Sequence, residues 1–157
     1  MDITIYTDGS SRGNPGPGGY GVVLMAEVGD KAYKKELSRG YRLTTNNRME
    51  LLAVIAGLEA LKNEGENVCV YSDSRYVVDS VEKGWVFDWE KKGFKNKKNA
   101  DLWMRFLKAY RRHKVSFVWV KGHAMVEMNE LCDRLAVAAS KAGELSADTV
   151  FEAGMGD

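Results

Sequence analysis

Two stretches of this chain repeat one pattern, and that pattern limits the fold more than any other feature. Ile3 to Ser10 reads I-T-I-Y-T-D-G-S, and Val68 to Ser74 reads V-C-V-Y-S-D-S. Each is a short run rich in β-branched residues, then Tyr, then Thr or Ser, then Asp, then turn residues. Runs bounded in this way predict buried strands. Each strand then carries one carboxylate, Asp8 or Asp73, at its C-terminal end. Ligands of α/β sheets sit in the crevice outside those ends. If the two strands are neighbours the carboxylates meet there. Two such anions repel unless they share a proton or hold a cation.

The rest of the chain supplies the surroundings. Gly13 to Gly21 contains both prolines and reads as a rigid turn, or as a loop that lets a ligand approach the backbone. It lacks the Gly-Lys-Ser/Thr of a phosphate loop. Gly21 to Glu27 and Tyr33 to Tyr41 predict two strands joined at Gly29-Asp30. Thr44-Thr-Asn-Asn-Arg-Met-Glu50 opens a helix with capping residues and an early acid. Leu51, Val54, Leu58 and Leu61 keep helical spacing. Glu50 leans toward that apolar side, or else is a surface acid serving the helix dipole.

Ser74 to Lys83 and Trp85 to Lys92 read as short helices, and Asp73 could serve simply as an N-cap. Lys91, Lys92, Lys95, Lys97 and Lys98 then surround Phe94, close to Trp85 and Trp89. That is either a solvated loop or a surface for a nucleic-acid backbone, and the composition favours the second. Leu102, Trp103, Phe106, Leu107 and Tyr110 form a core-facing stripe. Val115 to Lys121 alternates like a strand and runs into Gly122-His123. In the last helix Leu131, Leu135, Ala138 and Ala142 share a face, with Asp133 off that stripe. The expected organisation is one domain over 1–143 and a mobile tail over 144–157, which is small, acidic and weakly patterned.

The element order β-β-β-α-β-α-α-α-β-α predicts an α/β fold, a mixed sheet with helices on both faces. The net charge of +1 does not point to a polyanion-binding protein in bulk, so local charge has to carry any such function. No apolar run approaches membrane-spanning length, and a cytoplasmic address is expected. Cys69 and Cys132 read as buried thiols rather than a disulfide or a zinc site. Asp8, Glu50, Asp73 and Asp133 come from separate elements, with no His pair or thiol cluster among them. All-oxygen ligands of this kind suit Mg²⁺ or Mn²⁺. Two such ions roughly 4 Å apart can hold the attacking water and the leaving oxygen of a phosphodiester.

The blocks TDGSSRGNPGPGGYG, TTNNRMEL, SDSRYV and VKGHA, followed by NELCDRLA, resemble type 1 ribonuclease H of the bacterial kind, from Ile3 to about Ala142. The resemblance implies a ribonuclease H-like fold, with a five-stranded sheet of three antiparallel and then two parallel strands. It implies cleavage of the RNA strand of an RNA/DNA hybrid, leaving a 5′-phosphate and a 3′-hydroxyl. It assigns Asp8 to both metal ions, Asp133 to the ion that activates water, and Glu50 and Asp73 to the ion facing the leaving oxygen. His123 matches a loop histidine that assists proton transfer or product release. Ser11, Gly13, Asn14, Asn46 and Asn47 match contacts to the hybrid near the cut, and Thr45 matches a DNA-phosphate pocket. The lysine-rich stretch matches a basic protrusion, with Trp85 and Trp89 beside the DNA strand. The chain departs from the family pattern at Arg75, where relatives often carry Gln, although Arg75 can still donate to the substrate. It departs also at Asp88, an acid in the phosphate pocket, and at Met125-Val-Glu127. A monomer is expected. The competing readings are another nuclease of the same superfold, such as a transposase or resolvase, and a non-catalytic hybrid-binding module.

Overall fold

The computed structural model describes residues 2–121 and 127–154. Its five strands are β1 (Asp2–Ser11), β2 (Gly16–Val28), β3 (Lys31–Thr44), β4 (Asn67–Ser72) and β5 (Lys114–Trp119). They form one sheet in the order β3-β2-β1-β4-β5. β1, β2 and β3 pair antiparallel, whereas β1–β4 and β4–β5 pair parallel. The two Asp-bearing strands are therefore neighbours that run the same way. Tyr6 lies opposite Tyr71 in their register, and the two rings stack at 4.9 Å.

The helices are α1 (Asn46–Glu59), α2 (Arg75–Glu82), α3 (Trp85–Lys91), α4 (Ala100–Tyr110), α5 (Glu127–Ser140) and α6 (Thr149–Glu152). Thr45 starts α1 by accepting the Arg48 N–H at 3.2 Å. Arg48 through Ile55 are buried without interruption, more than one apolar stripe predicts. The sheet covers one side of α1 and α4 packs on another. Burial of Leu51, Val54, Ile55 and Leu58 contributes about 1.5–3 kcal/mol each. Successive strand residues point to opposite faces, and β2 shows which helix lies on which. Val22 reaches Gly57 of α1, whereas a Cβ on Gly21 would lie 2.2 Å from the Cys132 carbonyl of α5. The helices thus cover both faces, as the element order predicts.

Three expectations change. The Gly16–Tyr20 stretch is strand rather than turn, and it pairs with β3 through Gly19 and Gly40. Gly19 and Gly21 of β2 and Gly40 of β3 give α5 room to lie close to the sheet, since a Cβ on them would meet the Ala136, Cys132 and Ala139 carbonyls. For the same reason α5 buries the small residues Cys132, Ala136 and Ser140, not the stripe of Leu131, Leu135, Ala138 and Ala142. Leu131 and Leu135 are half-buried on its flank, and Ala142 is exposed beyond the helix end.

The third change concerns the tail expected to be mobile from residue 144. Ser146 bridges to Tyr41, and Arg42 forms a bidentate pair with Glu152. Asp148 is buried and accepts from Thr44 Oγ1 at 2.7 Å and from Arg48 Nε at 2.7 Å. Arg48 is 1% exposed, and Asp101 supplies its second carboxylate. A guanidinium this deep needs paired acids, so it draws residue 148 inward. No helix among the described residues is long and apolar enough to cross a membrane.

Candidate active site

Asp8 lies near the end of β1, Glu50 in the second turn of α1, and Asp73 directly after β4. One backbone group ties two of them together. The Gly9 N–H donates to Asp8 Oδ1 at 3.0 Å and to Glu50 Oε1 at 2.7 Å. A Cβ at Gly9 would sit 2.3 Å from the Met49 carbonyl carbon, so only glycine lets α1 begin this close to β1. Thr7 Oγ1 donates to the Tyr71 carbonyl at 2.8 Å and locks β1 to β4 just before both acids. The N-cap of α2 is Ser74, which accepts the Val77 N–H at 3.2 Å. Asp73 is thereby left facing the other acids rather than capping the helix.

One oxygen from each of Asp8, Glu50 and Asp73 lies within 4.8 Å of the other two. Asp8 and Glu50 are buried, at 9% and 5% exposed, and Asp73 is half-buried. Burial, then the charge of Asp73 and the carboxyl of Asp133, pushes the Asp8 carboxyl up to about 8 against the Gly9 N–H. Burial, then Asp8 and Asp73, raises Glu50 well above the usual carboxylate range. Asp133 stands on the exposed side of α5, with its carboxyl near enough to hydrogen-bond that of Asp8. Asp73 Oδ1 is sealed from solvent without a hydrogen-bond partner among the described residues. Converging hard oxygens, one of them unsatisfied, fit a divalent cation of the Mg²⁺ or Ca²⁺ type. No His or Cys among the described residues joins the group.

The RNase H family profile matches residues 1–141. The chain belongs to the ribonuclease H family. Ribonuclease H of Desulforamulus reducens is 57% identical over 152 residues, covering 94% of this chain and 92% of that one. Ribonuclease H of Rippkaea orientalis is 52% identical over 155 residues, covering 96% and 92%. Among solved structures, LC9-RNase H1, a type 1 RNase H with the type 2 active-site motif, is 36% identical with a TM-score of 0.80, covering 88% of this chain and 72% of that one. LC11-RNase H1 in complex with RNA/DNA hybrid is 30% identical with a TM-score of 0.61, covering 87% and 95%. Ribonucleases H are metal-dependent, and the buried acid cluster is a fitting place for the metal.

The other expected site residues fall into two groups on this ribonuclease H scaffold. Ser11 ends β1 with its Oγ sealed and without a partner among the described residues, and Gly13 adopts a φ of +83°. Asn14 Oδ1 accepts the Asn46 backbone N–H at 3.0 Å, joining the glycine turn to the start of α1 beside Thr45 and Asn47. The second group surrounds α2 and α3. The Arg75 guanidinium lies 4.0 Å from the centroid of the Trp119 ring. Trp85 is 44% exposed with Lys83 beside its ring, whereas Trp89 packs edge-on against Trp103 with Lys97 over it. Lys91, Lys92, Lys95, Lys97 and Lys98 are all exposed, and so is Asp88. Phe94 is buried in the core beneath them, so it anchors the loop instead of offering a stacking face. His123 lies outside the described residues, as do Met125 and Val126.

The sequence reading missed Asn129. Its Nδ2 donates to the Thr7 carbonyl at 3.2 Å, and its Oδ1 is sealed without a partner among the described residues. The signal was available, because Asn129 precedes Asp133 by four residues and shares its side of α5.

Proposed function

We propose that this chain is an endonuclease that hydrolyses the RNA strand of RNA/DNA hybrids with divalent metal ions, Mg²⁺ or in its place Mn²⁺. The observation that carries this is the convergence of Asp8, Glu50 and Asp73 within 4.8 Å, with the Asp8 and Glu50 carboxyls raised by burial and by neighbouring acids. Asp8, Glu50, Asp73 and Asp133 would hold two ions. Bound there, the ions supply a nucleophilic water and neutralise charge on the scissile phosphate. Asp8 sits between Asp133 and the Glu50–Asp73 pair, which suits a carboxylate shared by both ions. Hydrolysis breaks the P–O3′ bond and leaves a 5′-phosphate and a 3′-hydroxyl. His123 would assist proton transfer or product release.

Ser11, Gly13, Asn14, Asn46 and Asn47 would read the hybrid near the cut. The hydrogen-bonded link from Asn14 to Asn46 supports this by holding both segments as one surface. The 2′-hydroxyl distinguishes RNA from DNA at such a surface. Thr45, Arg75, Trp85, Trp89 and the lysines from Lys91 to Lys98 would carry the DNA strand. The free thiols Cys69 and Cys132 suit a reducing compartment such as the cytoplasm, where the enzyme would act as a monomer.

The test is an end-labelled RNA presented alone, paired with DNA and paired with RNA, with Mg²⁺ or chelator. Metal-dependent cutting of the DNA-paired strand alone, lost in Asp8→Asn, is the expected result. Binding without cutting would leave a hybrid-binding module, and cutting of branched or duplex DNA would place the chain elsewhere in the superfold.

A further inference from the structure

We propose that Trp119 is a positioning residue that serves the metal site and the substrate surface at once, through two different parts of one side chain. The proposal rests on the nuclease reading above and deepens it.

The backbone ladder between β4 and β5 ends where Ser72 pairs with Trp119. Val120 N–H donates to the Ser72 carbonyl at 2.8 Å, the last main-chain bond of that seam among the described residues. The next carbonyl, that of Asp73, is taken by the indole Nε1–H of Trp119 at 3.2 Å. The side chain thus extends the sheet by one residue, to the residue whose carboxyl enters the acid cluster. On the other side of Asp73, the Ser74 N–H donates to Ser72 Oγ at 3.1 Å. Asp73 is held from both flanks while its own Oδ1 has no hydrogen-bond partner among the described residues. The rigid backbone offers that oxygen at a fixed place, which a metal ligand needs.

The ring face has a separate task. The Arg75 guanidinium rests on it at 4.0 Å, and its other partner among the described residues is Asp79, 3.9 Å away. The Arg75 side chain is 63% exposed, and Trp119 is 36% exposed. A cation stacked on an exposed ring and distantly paired is held in orientation at low cost. It remains available to a phosphate or a base edge two residues from the metal site.

Three variants separate the two tasks. Trp119→Phe keeps a ring face and removes the N–H. Arg75→Gln keeps the N–H bond and removes the cation. Trp119→Met removes both donor and ring. Titration of Mn²⁺ alone into each protein, without hybrid, should show about three- to ten-fold weaker binding for Trp119→Phe, the factor one neutral hydrogen bond supports. KM for the hybrid should stay within about two-fold in that variant, on the same scale. Arg75→Gln should bind Mn²⁺ like wild type, raise KM, and lower the salt slope of hybrid binding by about one. Trp119→Met should combine both defects. Wild-type Mn²⁺ binding by Trp119→Phe, or an equal loss in Arg75→Gln, would overturn the proposal. Wild-type protein that fails to cut DNA-paired RNA in Mg²⁺ would overturn the nuclease reading instead, and the Mn²⁺ titration would still decide the link between Trp119 and Asp73.

Discussion

Asp8→Asn should make the metal-free protein more stable while abolishing cleavage. The Asp8 carboxyl is pushed from its ordinary value of 3.8 up to about 8 by burial, Asp73 and Asp133. A carboxyl raised on folding contributes its full stability below the unfolded pKa, and that contribution is lost as pH rises through the folded one. The loss therefore develops between about pH 4 and pH 8, where the native state must keep a proton that the unfolded chain releases. At pH 7 the gap is about three units, and at 1.36 kcal/mol each the upper bound is ~4 kcal/mol. Asn has the same shape, does not titrate, and its Oδ1 can still accept from the Gly9 N–H. Relaxation of Glu50 and Asp73 recovers part of the cost in wild type, leaving an expected gain of about 2–4 kcal/mol. For a chain of this size that is a rise of roughly 5–15 °C in Tm. The assay is thermal melting in chelator at pH 4, 5.5 and 7. The gain should be largest at pH 7 and vanish near pH 4, and saturating Mg²⁺ should shrink it by stabilising wild type. A variant that melts at or below wild type at pH 7, or a gain independent of pH, would refute a repelling acid cluster.

The remaining predictions address other parts of the molecule. Asp148→Asn leaves the buried Arg48 with one carboxylate fewer and should cost on the order of 3 kcal/mol, seen as a lower midpoint in urea; an unchanged midpoint would mean that residues 146–152 do not dock in solution. Gly21→Ala places a methyl 2.2 Å from the Cys132 carbonyl and should destabilise by about 1–3 kcal/mol or more; it should also weaken Mn²⁺ binding, because α5 carries Asp133. Replacing Lys92 and Lys95 by Ala should lower the salt slope of hybrid binding by up to about two while leaving the melting temperature unchanged.

The local signals were legible because each is short-range physics. The twin strands with terminal Asp, the capping residues and the Leu-rich face of α1 follow from patterning alone, and the pairing of β1 with β4 is what lets Asp8 and Asp73 meet. What stayed hidden depends on partners far along the chain. Arg48 looks like a surface helix residue until Asp101 and Asp148, 53 and 100 positions away, are brought to it. Gly16 to Gly21 carries the residues of a turn and behaves as a strand, because glycine also answers a need for space, and the helix that needs Gly19 and Gly21 begins more than a hundred residues later. The buried face of α5 answers the same need. Hydropathy ranks Leu131 and Leu135 above Cys132 and Ala136, but a helix resting on a glycine-bearing strand buries its smallest residues, and choosing the large ones turns it away from its true contact. That rotation matters for the chemistry. Asp133 adjoins Cys132, so the seat of α5 against Gly21 sets how near Asp133 comes to Asp8, and the fourth carboxylate depends on glycines read at first as a loop.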